Sequence, residues 1–480
     1  MQLYIHIPTE GTTQCVCFRY KACMVLSGAG DALGYKDSDW EFNFSGPAIH
    51  RELKELGGLS KIELNKEEWP CSDDTVMHIA LAEALVQGQR GEELHTLMAT
   101  KFIACTTHMM GRRPGRTCMN SFYCLNQNKD KGYRIPFNAK GGGCGAAMRS
   151  MCIGLLFPRP EEIQDLIEVS IESGRMTHNN PSGYLGALAS ALFTSYGIQQ
   201  KSLVEWGKGL MDTLPLALKY IEESGFDVED NKAHWDYFTD QWTKYLELRQ
   251  ISDGKSKPVF PWKYGVKERD EFYKSISFDG HGGASGHDAP MIAYDAILSH
   301  DGTWTDLCHH GMLHGGDNDS TGVITGALFG ALNGFSSVPE GNYKNLEFRE
   351  RLEDLATLLF QLNKQKETNA ELEETSSPLC GARLSSGRDE KIQRETKSSL
   401  CEARHFPERE ETHTESGEIK SPLCEARLSP EREKAKTPDG EAETKSKTTG
   451  PPGAANIKPG ETKVHLEKQV GDVVMEQSTK

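Results

Sequence analysis

Apolar residues recur at helical spacing along most of the first 365 positions, and the pattern predicts an all-α protein. Ser182 to Thr194, Ser202 to Glu223, His234 to Leu248 and Asn345 to Leu362 each place apolar side chains three and four residues apart. Segments that alternate apolar with polar residues between tight turns are scarce. Pro258, Pro261 and the glycines near Asp279 mark loops. Two helical runs share a second property, a cluster of hard-oxygen side chains just ahead of the apolar positions. In Cys71-Ser-Asp-Asp-Thr75, Ser72 reads as an N-cap and Asp73 and Asp74 fall in the first turn, where the helix N-terminus tolerates carboxylates. Val76, Met77, Ala80, Leu81, Ala84 and Leu85 follow at helical spacing. In Gly315-Gly-Asp-Asn-Asp-Ser-Thr321, Asp317 and Asp319 lie on a glycine-rich turn, and Ser320 or Thr321 opens a helix. Gly322, Gly326, Gly330 and Gly334 recur there every fourth residue, a smooth ridge that lets a neighbouring helix approach closely.

The pattern stops near residue 365. After Leu362 the only aromatic residue is Phe406, and the remainder is rich in Glu, Lys, Ser, Thr and Pro. Such a composition buries too little apolar surface to offset chain entropy, so residues 366–480 are expected to be a disordered tail. Within it Ser377-Pro-Leu-Cys-Gly-Ala-Arg383, Ser399-Leu-Cys-Glu-Ala-Arg404 and Ser421-Pro-Leu-Cys-Glu-Ala-Arg427 repeat. Each unit is too poor in apolar residues to share a core, and duplicated low-complexity sequence is the simpler reading. The division expected is a short extension at 1–17, one helical domain at 18–365 and the tail.

The formal net charge of −16 disfavours nonspecific nucleic-acid binding, which needs a concentrated basic surface. No apolar run reaches the 18 residues or so of a membrane span, and Met1 to Cys17 has neither the basic start nor the apolar core of a secretory signal. Thirteen irregularly spaced cysteines suit free thiols in a reducing compartment, so a cytoplasmic location is expected. The two acidic clusters contain carboxylates and hydroxyls without a zinc-like Cys or His pairing. Oxygen donors of that kind suit Mg²⁺ or Mn²⁺.

These motifs do not stand alone. Met24-Val-Leu-Ser-Gly-Ala-Gly-Asp-Ala-Leu-Gly-Tyr35, Trp40-Glu-Phe42, Ser72-Asp-Asp-Thr-Val-Met-His78, Arg134-Ile-Pro-Phe-Asn138 and Gly142-Gly-Cys-Gly-Ala-Ala-Met-Arg149 follow one another in order. Ile171-Glu-Ser-Gly-Arg-Met-Thr-His178, Gly186-Ala-Leu-Ala-Ser-Ala-Leu-Phe193, Ser285-Gly-His-Asp-Ala-Pro-Met291 and His314-Gly-Gly-Asp-Asn-Asp-Ser320 continue the series. From about Arg19 to about Leu362 the chain resembles the ADP-ribosylhydrolase family, and most closely its ADP-ribosylarginine hydrolase branch. The resemblance implies an all-α fold around a cleft that holds two Mg²⁺ ions, and hydrolysis of the bond between ADP-ribose and an arginine side chain. By motif, Ser72, Asp73, Asp74, Asp317, Asp319 and Ser320 would be the metal ligands. Glu41 matches the family's mobile glutamate, and either Asp73 or Asp74 would orient or deprotonate the attacking water.

For the diphosphate, the segment Asn138, Ala139, Lys140, Gly141, Gly142, Gly143, Cys144 and Gly145 offers backbone N–H groups ahead of an expected helix from Ala146 to Leu156. Met176, Thr177 and His178 resemble the stretch that closes over ADP-ribose. Phe278 is placed where the family sets an aromatic ring against adenine, with core packing as the other reading. Gly286 and Asp288 belong to the matching cleft loop, where Asp288 faces either the substrate or a helix N-terminus. The implied partners are arginine-linked ADP-ribosylated proteins, with ADP-ribose as product, no nucleic acid, no membrane, and a monomeric chain. Two other classes compete with the hydrolase: a catalytically silent relative, whose metal carboxylates would be degraded, and an ADP-ribose reader, which would not need them. Within the hydrolase class, serine-linked ADP-ribose is the competing substrate.

Overall fold

A computed structural model describes residues 10–128 and 132–376, all within the unit Met1–Phe406. Sixteen α-helices occur among the described residues. They are α1 (Glu10–Tyr35), α2 (Gly46–Glu55), α3 (Asp73–Leu85), α4 (Gly91–Cys105), α5 (Arg116–Gln127) and α6 (Met151–Leu156). Then come α7 (Ile163–Arg175), α8 (Pro181–Gln199), α9 (Val204–Ser224), α10 (Val228–Ala233) and α11 (Trp235–Arg249). The last are α12 (Val266–Ile276), α13 (Asp288–Ser299), α14 (Trp304–Gly311), α15 (Asn318–Asn333) and α16 (Arg349–Ser376). The described residues contain no strand, only the isolated bridges Asn43–Gly316, Gly143–Ser285 and Gly282–Gly316. No described helix is long and apolar enough to cross a membrane.

Helices α3, α8 and α15 are buried almost all round, as expected of helices apolar on every face. The glycine ridge of α15 packs on α1 in antiparallel register. A Cβ at Gly322 would strike the Gly30 carbonyl, one at Gly326 the Leu26 carbonyl, and one at Gly330 the backbone of Ala22. Gly30 and Gly34 on α1 return the contact against Gly322 and Asn318. Backbones this close leave no space for side chains, and the seam delivers the start of α15 to the end of α1.

Boundaries differ from the sequence expectations in three places. The Ala146–Leu156 run is not one helix: a 3₁₀ turn at Cys144–Ala146 precedes α6, which starts only at Met151. Between them the buried Arg149 guanidinium and Ser150 Oγ bond to carbonyls of the turn, Gly145 and Ala146, which closes it locally. The helix expected from Asn345 starts at Arg349 and continues to Ser376, past residue 365. Likewise α1 runs unbroken across residues 17 and 18. The repeats and the rest of the expected tail beyond Ser376 lie outside the described residues.

Candidate active-site cleft

The two acidic helix starts meet. Glu41, Asp73, Asp74, Asp317, Asp319 and Ser320 line one cleft of about 280 Å³, with Gly143, Gly145 and His178 on its wall. Local geometry explains each placement. Ser72 caps α3 by accepting the Asp74 N–H at 3.1 Å, so Asp73 and Asp74 project from the first turn. Asp317 is the N-cap position of α15, which opens at Asn318, two residues before Ser320, the earlier of the two expected starts, and Asp319 falls in its first turn.

Beneath α3 lies Asp31, fully buried on α1, which accepts the backbone N–H groups of Ser72 at 3.0 Å and Thr75 at 3.1 Å and the Thr75 hydroxyl. It fixes the first turn of α3 to α1. The segment ahead of α3 is clamped as well: Arg112 forks onto Glu347 at 2.9 and 2.7 Å, and Glu347 accepts the Cys71 N–H at 3.1 Å. Glu41 is not a solvated loop carboxylate. Its neighbours are pinned to α15 and the turn before it, through Asn318 Nδ2 to the Trp40 carbonyl at 2.8 Å and the Phe42 N–H to the Gly316 carbonyl at 2.8 Å.

The cleft concentrates negative charge out of water. Burial first, and then the carboxylate of Asp319, hold Asp73, Asp74 and Asp317 well above the usual carboxylate range. The same two causes push Glu41 up to about 9 and Asp31 to about 7. Asp74 Oδ2 and Glu41 Oε2 are buried without a hydrogen-bond partner. Oxygens in that condition call for a cation or a proton. Hard donors with orphaned buried oxygens fit a divalent ion such as Mg²⁺. Among the described residues no three His, Cys, Asp or Glu side chains already close on one metal-sized point.

The glycine-rich turn forms the neighbouring wall. Lys140 and Gly141 spend their N–H groups on Asn138, and the Cys144 N–H bonds to the Ala284 carbonyl at 3.1 Å. The N–H groups of Gly142 and Gly143 have no acceptor among the described residues, which keeps this stretch available to an anion. The exposed Ala139 and the half-buried Asn138 lie at its outer end. His178 packs against the turn so tightly that a Cβ at Gly145 would overlap its ring. Burial, then the Arg149 charge, lower its pKa to about 3, so the ring is neutral.

Other expected residues stand further back. Met176 is buried, and Thr177 lies behind His178, bonded through Oγ1 to His178 Nδ1 and to Arg149, both at 2.8 Å. Gly286 packs against the Ser182 carbonyl, where no side chain fits. Asp288 opens α13 and accepts the Ser285 N–H at 2.9 Å, the helix-terminus alternative, while its Oδ2 is buried without a partner. Phe278 is not core: it is 70% exposed, edge-on to Tyr237.

Sequence reasoning missed Asp31, Arg149, the thiol of Cys144 and the cationic pair Arg113 and Arg116. Cys144 Sγ lies 3.4 Å from Asp317 Oδ2 and 3.4 Å from Ser320 Oγ, and both arginines line the cleft. Asp31 and Arg149 sat inside the quoted motifs, and only their contacts reveal a role.

Comparison with known proteins identifies the family. The family model described as ADP-ribosylglycohydrolase matches residues 15–369. The chain is 43% identical over 360 residues to ADP-ribosylhydrolase ARH1 of Dictyostelium discoideum, covering 70% of this chain and 92% of that protein. It is 25% identical over 360 residues to the mouse ADP-ribosylhydrolase ARH3, covering 72% and 91%. A solved chain described as an ADP-ribosylglycohydrolase-related protein complex aligns with a TM-score of 0.46 at 17% identity, over 72% of this chain and 98% of that one. An all-helical body whose two acidic helix starts share one cleft, matched along most of its length by that family model, makes this chain a hydrolase of the ADP-ribosylglycohydrolase family.

Proposed function

We propose that the protein is a Mg²⁺-dependent hydrolase that removes ADP-ribose from arginine side chains of modified proteins. The observation that carries the reading is the convergence of Asp73, Asp74, Asp317 and Asp319 on one cleft, with Asp74 Oδ2 and Glu41 Oε2 buried and unpartnered. A silent relative or a reader gains nothing from four buried carboxylates that repel one another. The motif resemblance to the ADP-ribosylarginine hydrolase branch favours the arginine linkage over the serine one.

Asp73, Asp74, Asp317, Asp319 and Ser320 would hold the ions, while Ser72, the sixth expected ligand, is not among the residues that line the cleft and accepts the Asp74 N–H as the cap of α3. When bound, Mg²⁺ supplies Lewis-acid polarisation and charge neutralisation at the ribose. The residues of the chain do the rest. Gly142 and Gly143 offer N–H groups to the diphosphate, and Arg113 and Arg116 add charge beside them. Asp73 or Asp74 orients a water toward C1″ and takes its proton. The water oxygen bonds to C1″ as the bond from C1″ to the guanidine nitrogen breaks, through a transition state with oxocarbenium character. The guanidine gains a proton and leaves as guanidinium.

The test is release of free ADP-ribose from arginine-linked and serine-linked peptides, with Mg²⁺ and with EDTA. Release from the arginine peptide alone, and only with Mg²⁺, is expected, and Asp317→Ala should lower it by at least about a hundredfold. Serine-only release would reassign the linkage. No release from either peptide, with tight binding of ADP-ribose, would make the protein a reader.

A further inference from the structure

We infer that Phe42, Phe44 and His281 form an aromatic collar that receives the guanidinium side of the substrate at the cleft mouth, an inference that rests on the hydrolase reading above. Large apolar rings left in water beside a cleft call for an explanation. Phe44 is 60% exposed and Phe42, which lines the cleft, is 38% exposed. Both meet His281: its ring centroid lies 4.9 Å from that of Phe44 at an interplanar angle of 34°, and 6.2 Å from that of Phe42 at 85°.

The tertiary structure sets this cluster in place at a conformational cost. Phe42 has φ of 53°, the left-handed region that a bulky side chain avoids. It is held there by its N–H bond to the Gly316 carbonyl and by the Asn43–Gly316 bridge. A loop free to choose would relax. This one keeps a phenyl ring beside Glu41, on the same cleft as four aspartates.

The chemistry at that position suits a planar cation. A guanidinium is weakly hydrated, delocalised and able to stack on aromatic faces, and carboxylates nearby add attraction. Adenine is the other flat group the collar could take, but the loop that carries His281 also carries Phe278. Phe278 pairs edge-on with Tyr237 on α11 at 5.8 Å, a second exposed aromatic surface apart from the collar that the base could use instead. A serine linkage presents no cation, so the collar would favour arginine.

The experiment uses the full-length protein with Phe44→Ala, Phe42→Leu and Phe44→Trp. Two quantities are measured, kcat/KM on an arginine-linked ADP-ribosyl peptide and Kd for free ADP-ribose by calorimetry. Phe44→Ala and Phe42→Leu should each lower kcat/KM by roughly 5- to 30-fold, mostly through KM, with the ADP-ribose Kd within about twofold of wild type. Phe44→Trp should restore it. Unchanged kcat/KM would overturn the collar, and so would a parallel loss of ADP-ribose affinity, which would assign these rings to the nucleotide.

Agmatine binding to the protein saturated with ADP-ribose keeps this inference separate from the hydrolase reading, because it needs no turnover. Saturable binding that Phe44→Ala abolishes supports the collar even if no peptide is cleaved. Absence of saturable agmatine binding to the wild type overturns it.

Discussion

At the residue scale the protein is dominated by acidic groups placed where they cannot be hydrated. A carboxyl whose pKa rises on folding weakens the folded state at every pH above its unfolded value, since the unfolded chain ionises more readily. Asp317 is such a group, raised by burial and then by Asp319. In EDTA at pH 7, Asp317→Asn should therefore raise the thermal midpoint, by about 2–4 °C if roughly 1 kcal/mol of repulsion is relieved. Adding Mg²⁺ should stabilise the wild type and leave the variant nearly unchanged, a comparison that scanning fluorimetry can make directly. Much of this residue set was legible in the sequence, because an aspartate pair after a cap and an Asp-Asn-Asp turn are local patterns. Asp31 was not legible as an anchor, because its three donors lie more than 40 positions away.

At the scale of elements, the packing of α1 on α15 decides whether a site exists at all. The glycine periodicity announced a close approach without naming the partner. The observed register pairs Gly30 with Gly322 and Leu26 with Gly326. Gly326→Val would drive two methyl groups into the Leu26 carbonyl, where backbone and not a flexible side chain must yield. A loss of about 3 kcal/mol or more in urea denaturation is expected. Gly115→Ala, at a position where a Cβ meets nothing within 4 Å and φ is −58°, should change stability by less than about 1 kcal/mol. The helix expected from Ala146 to Leu156 shows the opposite case. Its apolar spacing was real, but Arg149 and Ser150 close the turn on themselves, and periodicity carries no signal for that.

Across the whole molecule, the buried polar groups couple distant segments and make stability depend on pH. His78 lies fully buried on α3, where its Nε2 accepts the Cys152 N–H of α6 at 3.2 Å and its Nδ1 meets Ser27 Oγ of α1 at 3.2 Å. Burial lowers its pKa from 6.5 to about 3. The folded state therefore keeps the ring neutral, while the unfolded chain takes up a proton below pH 6.5. The contribution to stability is complete above that value and is lost as pH falls toward 3. From this group alone, unfolding free energy should drop by about 2 kcal/mol between pH 7 and pH 5. His78→Gln should show a correspondingly flatter pH dependence in denaturant titrations.

The sequence by itself determined the helical class, the two capped acidic starts, the glycine ridge and the resemblance to a hydrolase family, because each is written in residues close together along the chain. Only the tertiary structure decided that the two acidic starts share one cleft, that Phe278 faces solvent and Asp288 a helix start, and that Arg149 and Asp31 hold the site's frame. Those outcomes depend on which surfaces meet and which polar atoms are left without water, and such contacts join residues too far apart for any local pattern to record.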